Sequence, residues 1–418
     1  MISFIHVFNL CLCLLFFGCY FYQLVYVGVV WFKKKPAAPK APHLHRYAIV
    51  ISARNEAAVI GNLLTSIQQQ TYPKELYDVY VMADNCTDNT AEVAEQHGAT
   101  VYRRRSSLVG KGYALDVMFQ NIENACGLTY YDGYLVFDAD NVLDPNYLAE
   151  MNCTFDQGYR VITSYRNSKN YDSNWISAGY ALWFLRESKY LNGARMRCHT
   201  SCAISGTGFL VSSQIIKKNN GWKHHLLTED IEFSIDNAIH GEVIGYCEKA
   251  IVYDEQPVKF SASWKQRMRW AKGFYQVLAN YGTRLVKGCF KGRSFQCFDM
   301  LMTIAPAILV SLTGIAVNTA TVIYGIAADE LPLADAALGA ILAGLAGTYL
   351  SLFFFGLITV ISEWKNIYCA PAKKILYLFT FPVFILTYIP IAVAALVRPV
   401  RWEPIPHSIC KNVQQITN

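Results

Sequence analysis

The sequence predicts an α/β domain built on a mostly parallel sheet and flanked by membrane-spanning α-helices. Three observations predict it. Apolar residues make up 53% of the 418-residue chain and charged ones only 16%, with a mean hydropathy of +0.20, too apolar for an ordinary soluble protein. The excess collects in residues 1–32 and beyond about 301, leaving a middle of mixed composition long enough for one substantial domain. That middle alternates short buried-strand patterns with helical ones. The expected organisation is an N-terminal transmembrane helix over 1–32, a cytoplasmic domain over 33–262, interfacial amphipathic helices over 263–300, three transmembrane helices over 301–398 and a tail over 399–418.

Residues 7–32 are nearly all apolar or aromatic, enough at 1.5 Å per residue to cross a bilayer core of about 30 Å. Lys33, Lys34 and Lys35 follow at once. With no basic stretch before it and no small-residue cleavage site after it, the segment reads as an anchor. The basic residues place position 33 onward in the cytoplasm, and a proline-rich linker is expected over 36–42. Strands are expected at 47–52, 77–83, 99–103 and 134–137. Helices are expected at 57–70, at 90–97 with Thr87 or Asp88 as its cap, and after Gly110-Lys111-Gly112 to about 125. This alternation implies right-handed βαβ units, in which ligands bind beyond the carboxyl ends of the strands.

Polar clusters fall at three of those strand ends: Asn55-Glu56, Asp84-Asn85 and Asp138-Ala139-Asp140. In extended backbone Asp138 and Asp140 point to the same side, where their like charges repel. Mg²⁺ or Mn²⁺ holding a phosphorylated ligand would compensate them, since hard oxygen ligands suit these ions. The alternative is a strand that ends in a solvated acidic turn. No Walker-type loop and no Gly-x-Gly-x-x-Gly follows the first strand, which argues against ATP hydrolysis and dinucleotide chemistry. A net charge of +6 without a long basic run argues against nucleic acid. The 13 cysteines are scattered, as expected for a reduced domain, and Cys198-His199-Thr200-Ser201-Cys202 comes nearest to a metal pattern.

In the second half of the domain, 175–191 reads as an amphipathic helix with a broad aromatic face near the membrane. The run 205–212 combines a glycine turn with a strand. Thr228 is the expected N-cap of a helix carrying Glu229 and Asp230. On an amphipathic helix over 264–281, Gln266, Arg269 and Trp270 share one face. Arg103-Arg104-Arg105 reads as a solvated or membrane-facing edge. Spans are expected at 301–327, 336–361 and 375–397, with an acidic outer loop (Asp329, Glu330, Asp335) and a basic inner one (Lys365, Lys373, Lys374). Small residues at 340, 343, 344 and 347 suit close helix packing. Pro382 and Pro390 bend or break the last span. By count the tail lies outside, yet Arg398 and Arg401 prefer the inside, and the sequence leaves the two open.

In this order the motifs resemble those of the processive family 2 glycosyltransferases, the membrane group that includes cellulose, chitin-oligosaccharide and hyaluronan synthases. The resemblance covers about 46–275 and rests on Asp84, Asp138-Ala-Asp140, Thr228-Glu-Asp230 and Gln266-Arg-Met-Arg-Trp270. One departure is Ser52, where the family commonly has proline. The resemblance implies a GT-A-like domain that transfers sugar from a UDP-sugar donor to a glycan acceptor at the lipid bilayer, with inversion. It implies Asp140 and Asp138 as ligands of Mg²⁺ or Mn²⁺, and Asn55, Glu56, Asp84, Lys111 and Asp138 around the nucleotide. Asp230, beside Glu229, is implied as general base, with Trp270 facing the acceptor and Arg269 and Gln266 near the diphosphate. The expected activity is extension of a β-linked polysaccharide coupled to export. The alternatives are a single transfer to a lipid acceptor, or a silent subunit of a membrane complex. A partner subunit or homo-oligomer stays open.

Overall fold

The computed structural model describes residues 1–34, 42–292 and 294–417. Lys35 and, apart from Pro42, the expected linker over 36–42 lie outside the described residues. The strands are β1 (Tyr47–Ala53), β2 (Tyr77–Asp84), β3 (Thr100–Arg104), β4 (Gly133–Asp138), β5 (Val142–Leu143), β6 (Val161–Ser168), β7 (Phe209–Ser212) and β8 (Ile244–Asp254). They form one sheet in the order β3-β2-β1-β4-β7-β6-β8-β5. The first four are mutually parallel, β7 runs against both β4 and β6, and β8 is parallel to β6 and antiparallel to β5.

β1 is buried on both faces, as a central parallel strand must be. Ile49 and Ile51 pack with Leu63, Leu64 and Ile67 of the Ile60–Gln68 helix. Ala48 and Val50 pack with Met118, Phe119 and Ile122 of the Lys111–Cys126 helix. In register, Ser52 lies beside Met82 on one side and Asp138 on the other. The segments that follow β1, β2 and β4 therefore leave the sheet side by side.

Several local expectations change. Asn89, not Thr87 or Asp88, stands at the N-cap of the Thr90–Gln96 helix and makes no side-chain cap bond, while Asp88 accepts the Thr90 amide at 3.1 Å from one residue further back. Thr228 stands at the N-cap position of the Glu229–His240 helix but makes no cap bond. Its side chain is pressed against Gly273, where an added Cβ would lie 2.5 Å away. The Trp175–Arg186 helix, capped by Asn174, is mostly buried and gives way to a π-helical turn over Glu187–Asn192. Gly179 lets it approach Phe384, whose ring would meet a Cβ at 2.4 Å. Arg104 is buried against Asp84, not at a solvated edge, because β3 alternates and turns only Arg103 to Glu92 and Glu95. Among the described residues no group of three His, Cys, Asp or Glu side chains is arranged to hold a metal, Cys198 to Cys202 included.

Among the described residues four helices are long and apolar enough to cross a membrane: Ile2–Phe32, Ala307–Ala327, Leu331–Ser362 and Pro371–Val397. The first runs antiparallel to the Ser294–Ile304 and Pro306–Ala327 helices. Asn9 and Asn318 exchange side-chain hydrogen bonds of 2.9 and 2.7 Å, and Tyr20 donates to the Met302 carbonyl at 3.0 Å. Nearer the domain, Tyr22 and Tyr26 donate to Asp299, which Arg195 grips through two bonds of 2.8 Å. That bidentate buried pair fastens the N-terminal helix to the domain.

The last apolar segment is bent at Thr387, between Pro371–Leu386 and Tyr388–Val397. At its start Lys373 donates to the Asp172 carbonyl at 2.9 Å, and beyond its end Trp402 lies under Arg54 at 5.2 Å. Both ends thus rest against the α/β domain. The tail continues along the domain, with Ile416 packed among Val142 and Tyr253. Cys126 and Cys410, both exposed, are accordingly expected to react with a membrane-impermeant maleimide from the same face of sealed vesicles. Modification from opposite faces, read by peptide mass, would refute this arrangement.

Candidate active site

The aligned strand ends open into a cavity of about 460 Å³. Of the residues singled out in the sequence, Glu56, Asp84, Lys111, Asp138, Asp140, Glu229, Asp230, Gln266, Arg269 and Trp270 line it. Asn55 does not. With φ at 58° it turns its side-chain oxygen to the Thr87 amide at 2.8 Å, shaping the loop after β1.

On one wall Lys111 donates to Asp138 at 2.5 Å and to the Gly206 carbonyl at 2.8 Å. Gly206, at φ 78°, in turn gives its amide to Asp230 at 2.6 Å. Burial raises the Asp230 carboxyl, against the pull of the Ile231 amide and Lys111. Burial and Asp230 push Glu229 further, to about 8. Two adjacent carboxyls thus hold protons with different strength. Asp84 is engaged by Arg104 at 2.5 Å, and Arg104 also donates to the Leu108 carbonyl at 2.7 Å.

Asp140 is buried and repelled by Asp254, which raises its carboxyl. Asp254 is held low, against burial, by Arg166. Opposite, burial depresses the Arg269 guanidinium, whose Nε has no hydrogen-bond partner. The Arg54 Nε and Nη1 and the Gln266 Oε1 are also buried without partners. The unspent guanidinium donors of Arg54 and Arg269, lining a cavity, suit an anionic ligand, whereas the Gln266 oxygen is an acceptor. Trp270 is held edge-on to Tyr180 at 5.7 Å and to Phe184 at 6.2 Å.

A profile described as "Glycosyltransferase like family 2" matches residues 45–273, more than half of the chain and the whole of this wall. The chain belongs to glycosyltransferase family 2. It is 27% identical over 270 residues to a beta-monoglucosyldiacylglycerol synthase of Nostoc sp., a match covering 61% of this chain and 54% of that protein. It is 26% identical over 256 residues to the poly-beta-1,6-N-acetyl-D-glucosamine synthase of Staphylococcus aureus, covering 59% and 58%. The chain thus spans little more than half the length of these curated relatives. Among solved structures, a mannosyltransferase from Pyrobaculum calidifontis in complex with GDP-Man and Mn²⁺ aligns with a TM-score of 0.55 at 17% identity, over 95% of this chain and 99% of that one. The shared architecture is the GT-A-like glycosyltransferase fold, with a mostly parallel mixed sheet and C-terminal helices long and apolar enough to span a membrane.

This family 2 enzyme builds its cavity from more residues than the sequence motifs name. Glu255 follows β8 and accepts the amides of Ser408 and Ile409 at 3.0 and 2.9 Å. His407 lies between Glu56 at 2.9 Å and Asp140 at 3.8 Å. Burial opposes its protonation, but Asp140 and Glu56 outweigh that and raise its pKa to about 10. Trp402 is shared by the guanidiniums of Arg54 and Arg269, at 5.2 and 5.8 Å. The acidic pair after β8 repeats the pattern that marks the ends of β1, β2 and β4. The tail carried no comparable signal beyond Arg398 and Arg401.

Proposed function

We propose that this glycosyltransferase is a membrane enzyme with a cytoplasmic catalytic domain that extends a β-linked polysaccharide from a UDP-sugar, with inversion. The observation that carries the reading is the gathering of Asp230, Lys111, Asp138 and Arg269 in the lining of one cavity. Asp230 removes the proton of the acceptor hydroxyl. The freed oxygen attacks the anomeric carbon on the face opposite the nucleotide, and the bond to the diphosphate breaks with its electron pair on the departing oxygen. Lys111 and Arg269 offset the charge that develops there. Glu56 and Asp84 contact the uracil or ribose, and Trp270 and Gln266 border the acceptor and the diphosphate.

Asp138, Asp140, Asp254 and Glu255 gather in the cavity lining, faced by Arg166, Lys111, Lys169 and His407, and burial together with Asp254 raises the Asp140 carboxyl. Among the described residues no three of these carboxylates are grouped as a metal site, so the fit rests on the oxygen chemistry of Asp138 and Asp140, which suits a hard divalent cation. Asp140 and Asp138 would hold Mg²⁺ or Mn²⁺, with phosphate oxygens and water completing its shell. When bound, the ion neutralises charge on the leaving diphosphate.

A second reading, single transfer to a lipid, is favoured by the inner end of the cavity. There Tyr20, Leu191, Ile304, Ala307 and Ile308 replace the polar wall. Protein reconstituted with Mg²⁺ or Mn²⁺ and offered UDP-glucose, UDP-N-acetylglucosamine, UDP-galactose or UDP-glucuronate tests both. Sustained UDP release with a long product is expected. One sugar on extractable lipid would replace the first reading with the second, and no release from any donor would leave the silent-subunit alternative.

A further inference from the structure

Glu187 opens the π-helical turn and lines the cavity together with Asp230, Ser205 and Gly206. Short π segments interrupting helices gather at functional sites. The carboxylate is placed in the field of two arginines and Asp230, and burial raises its pKa against the pull of Arg166 and Arg195. Yet both arginines are spent elsewhere, Arg166 on Asp254 and Arg195 on Asp299. Among the described residues Glu187 forms no ion pair, and the hydroxyl of Ser205 reaches it at 3.3 Å. A carboxylate offers about four lone-pair directions, so most of its capacity faces the cavity unspent.

The surroundings tell what would use that capacity. Trp183, Phe184 and Trp270 line the same part of the cavity. Rings beside a desolvated carboxylate suit a ligand with apolar C–H faces and several hydroxyls. Such a ligand is a sugar ring, whereas a simple lipid alcohol presents one hydroxyl and no ring face.

We propose that Glu187 is an acceptor-binding residue. Its carboxylate accepts a hydrogen bond from a hydroxyl next to the one that Asp230 deprotonates, and the acceptor is therefore the end of a glycan. This rests on the glycosyl-transfer reading and specifies its acceptor.

The test uses the full chain in lipid, the donor that it turns over, and added β-linked di- to tetrasaccharides. Glu187→Ala is expected to raise the acceptor KM roughly tenfold or more. The donor KM and the slow release of UDP without acceptor should stay within about twofold. Glu187→Gln, which keeps the shape and one acceptor oxygen, should fall between, and it decides the matter if the alanine variant unfolds. An unchanged acceptor KM in a folded variant, or donor and acceptor KM rising together, overturns the assignment. So does a wild-type enzyme that glycosylates lipid and ignores every oligosaccharide, an outcome that leaves glycosyl transfer itself standing. A wild type that turns over no donor sinks the transfer reading first.

Discussion

Replacing Asp230 with asparagine is expected to lower the transfer rate by about three orders of magnitude while the donor KM changes only a few-fold. The substitution keeps the size of the side chain and an oxygen for the Gly206 amide, bonded at 2.6 Å, but it removes the lone pair that takes the proton. Its neighbour is a poor substitute, because burial and Asp230 push Glu229 up to about 8 and so disfavour its anionic form. The pH dependence follows with a definite sign. A base must be unprotonated to act, and burial raises Asp230 above the 3.8 of a free aspartate. Wild-type activity should therefore fall on the acid side at a higher pH than a solvated aspartate would give. The residual activity of the variant should lack that limb. Steady-state rates of UDP release across pH, with donor binding followed separately, check both. A variant within tenfold of wild type would remove Asp230 from the reaction.

Asp140→Asn should abolish activity and yet stabilise the protein in the absence of divalent ions. A buried carboxylate repelled by Asp254 costs free energy that an amide of the same shape does not. The gain is reduced because His407, 3.8 Å away, loses one of its two carboxylate partners and keeps Glu56. In thermal unfolding, Mg²⁺ or Mn²⁺ with UDP should raise the wild-type Tm, as any ligand specific to the folded state does, and should leave that of the variant unmoved. Equal shifts in both proteins would take the ion away from Asp140.

Asp140 could be read directly from the sequence because it follows the end of a buried strand and parallel register brings such ends together, whereas Asp230, in the first turn of the Glu229–His240 helix, stood out only through the Thr228-Glu229-Asp230 motif. Glu56, Asp84 and Asp138 are legible for the same reason as Asp140. Arg104 was obscured by its charged neighbours, although the two-residue period of a strand separates it from Arg103 and Arg105. Glu187 was hidden by a change of helical pitch that no side-chain pattern announces. Pro382 and Pro390 announced a break in the last apolar segment. Where its far end goes depends on Trp402 and His407 finding partners more than 100 residues away, at Arg54, Arg269, Glu56 and Asp140.

That distance orders events during biosynthesis. The sheet and its converging carboxylates are complete by Asp254, while the ribosome still has the apolar helices to make. Trp402, Glu403 and His407 belong to the cavity wall and emerge only after the final bent segment has been made. Translation runs from the N-terminus, and domains fold as they appear. A nascent or truncated chain therefore carries the acidic cluster without its last wall, and the finished cavity exists only in a chain whose C-terminal apolar helices have already been made.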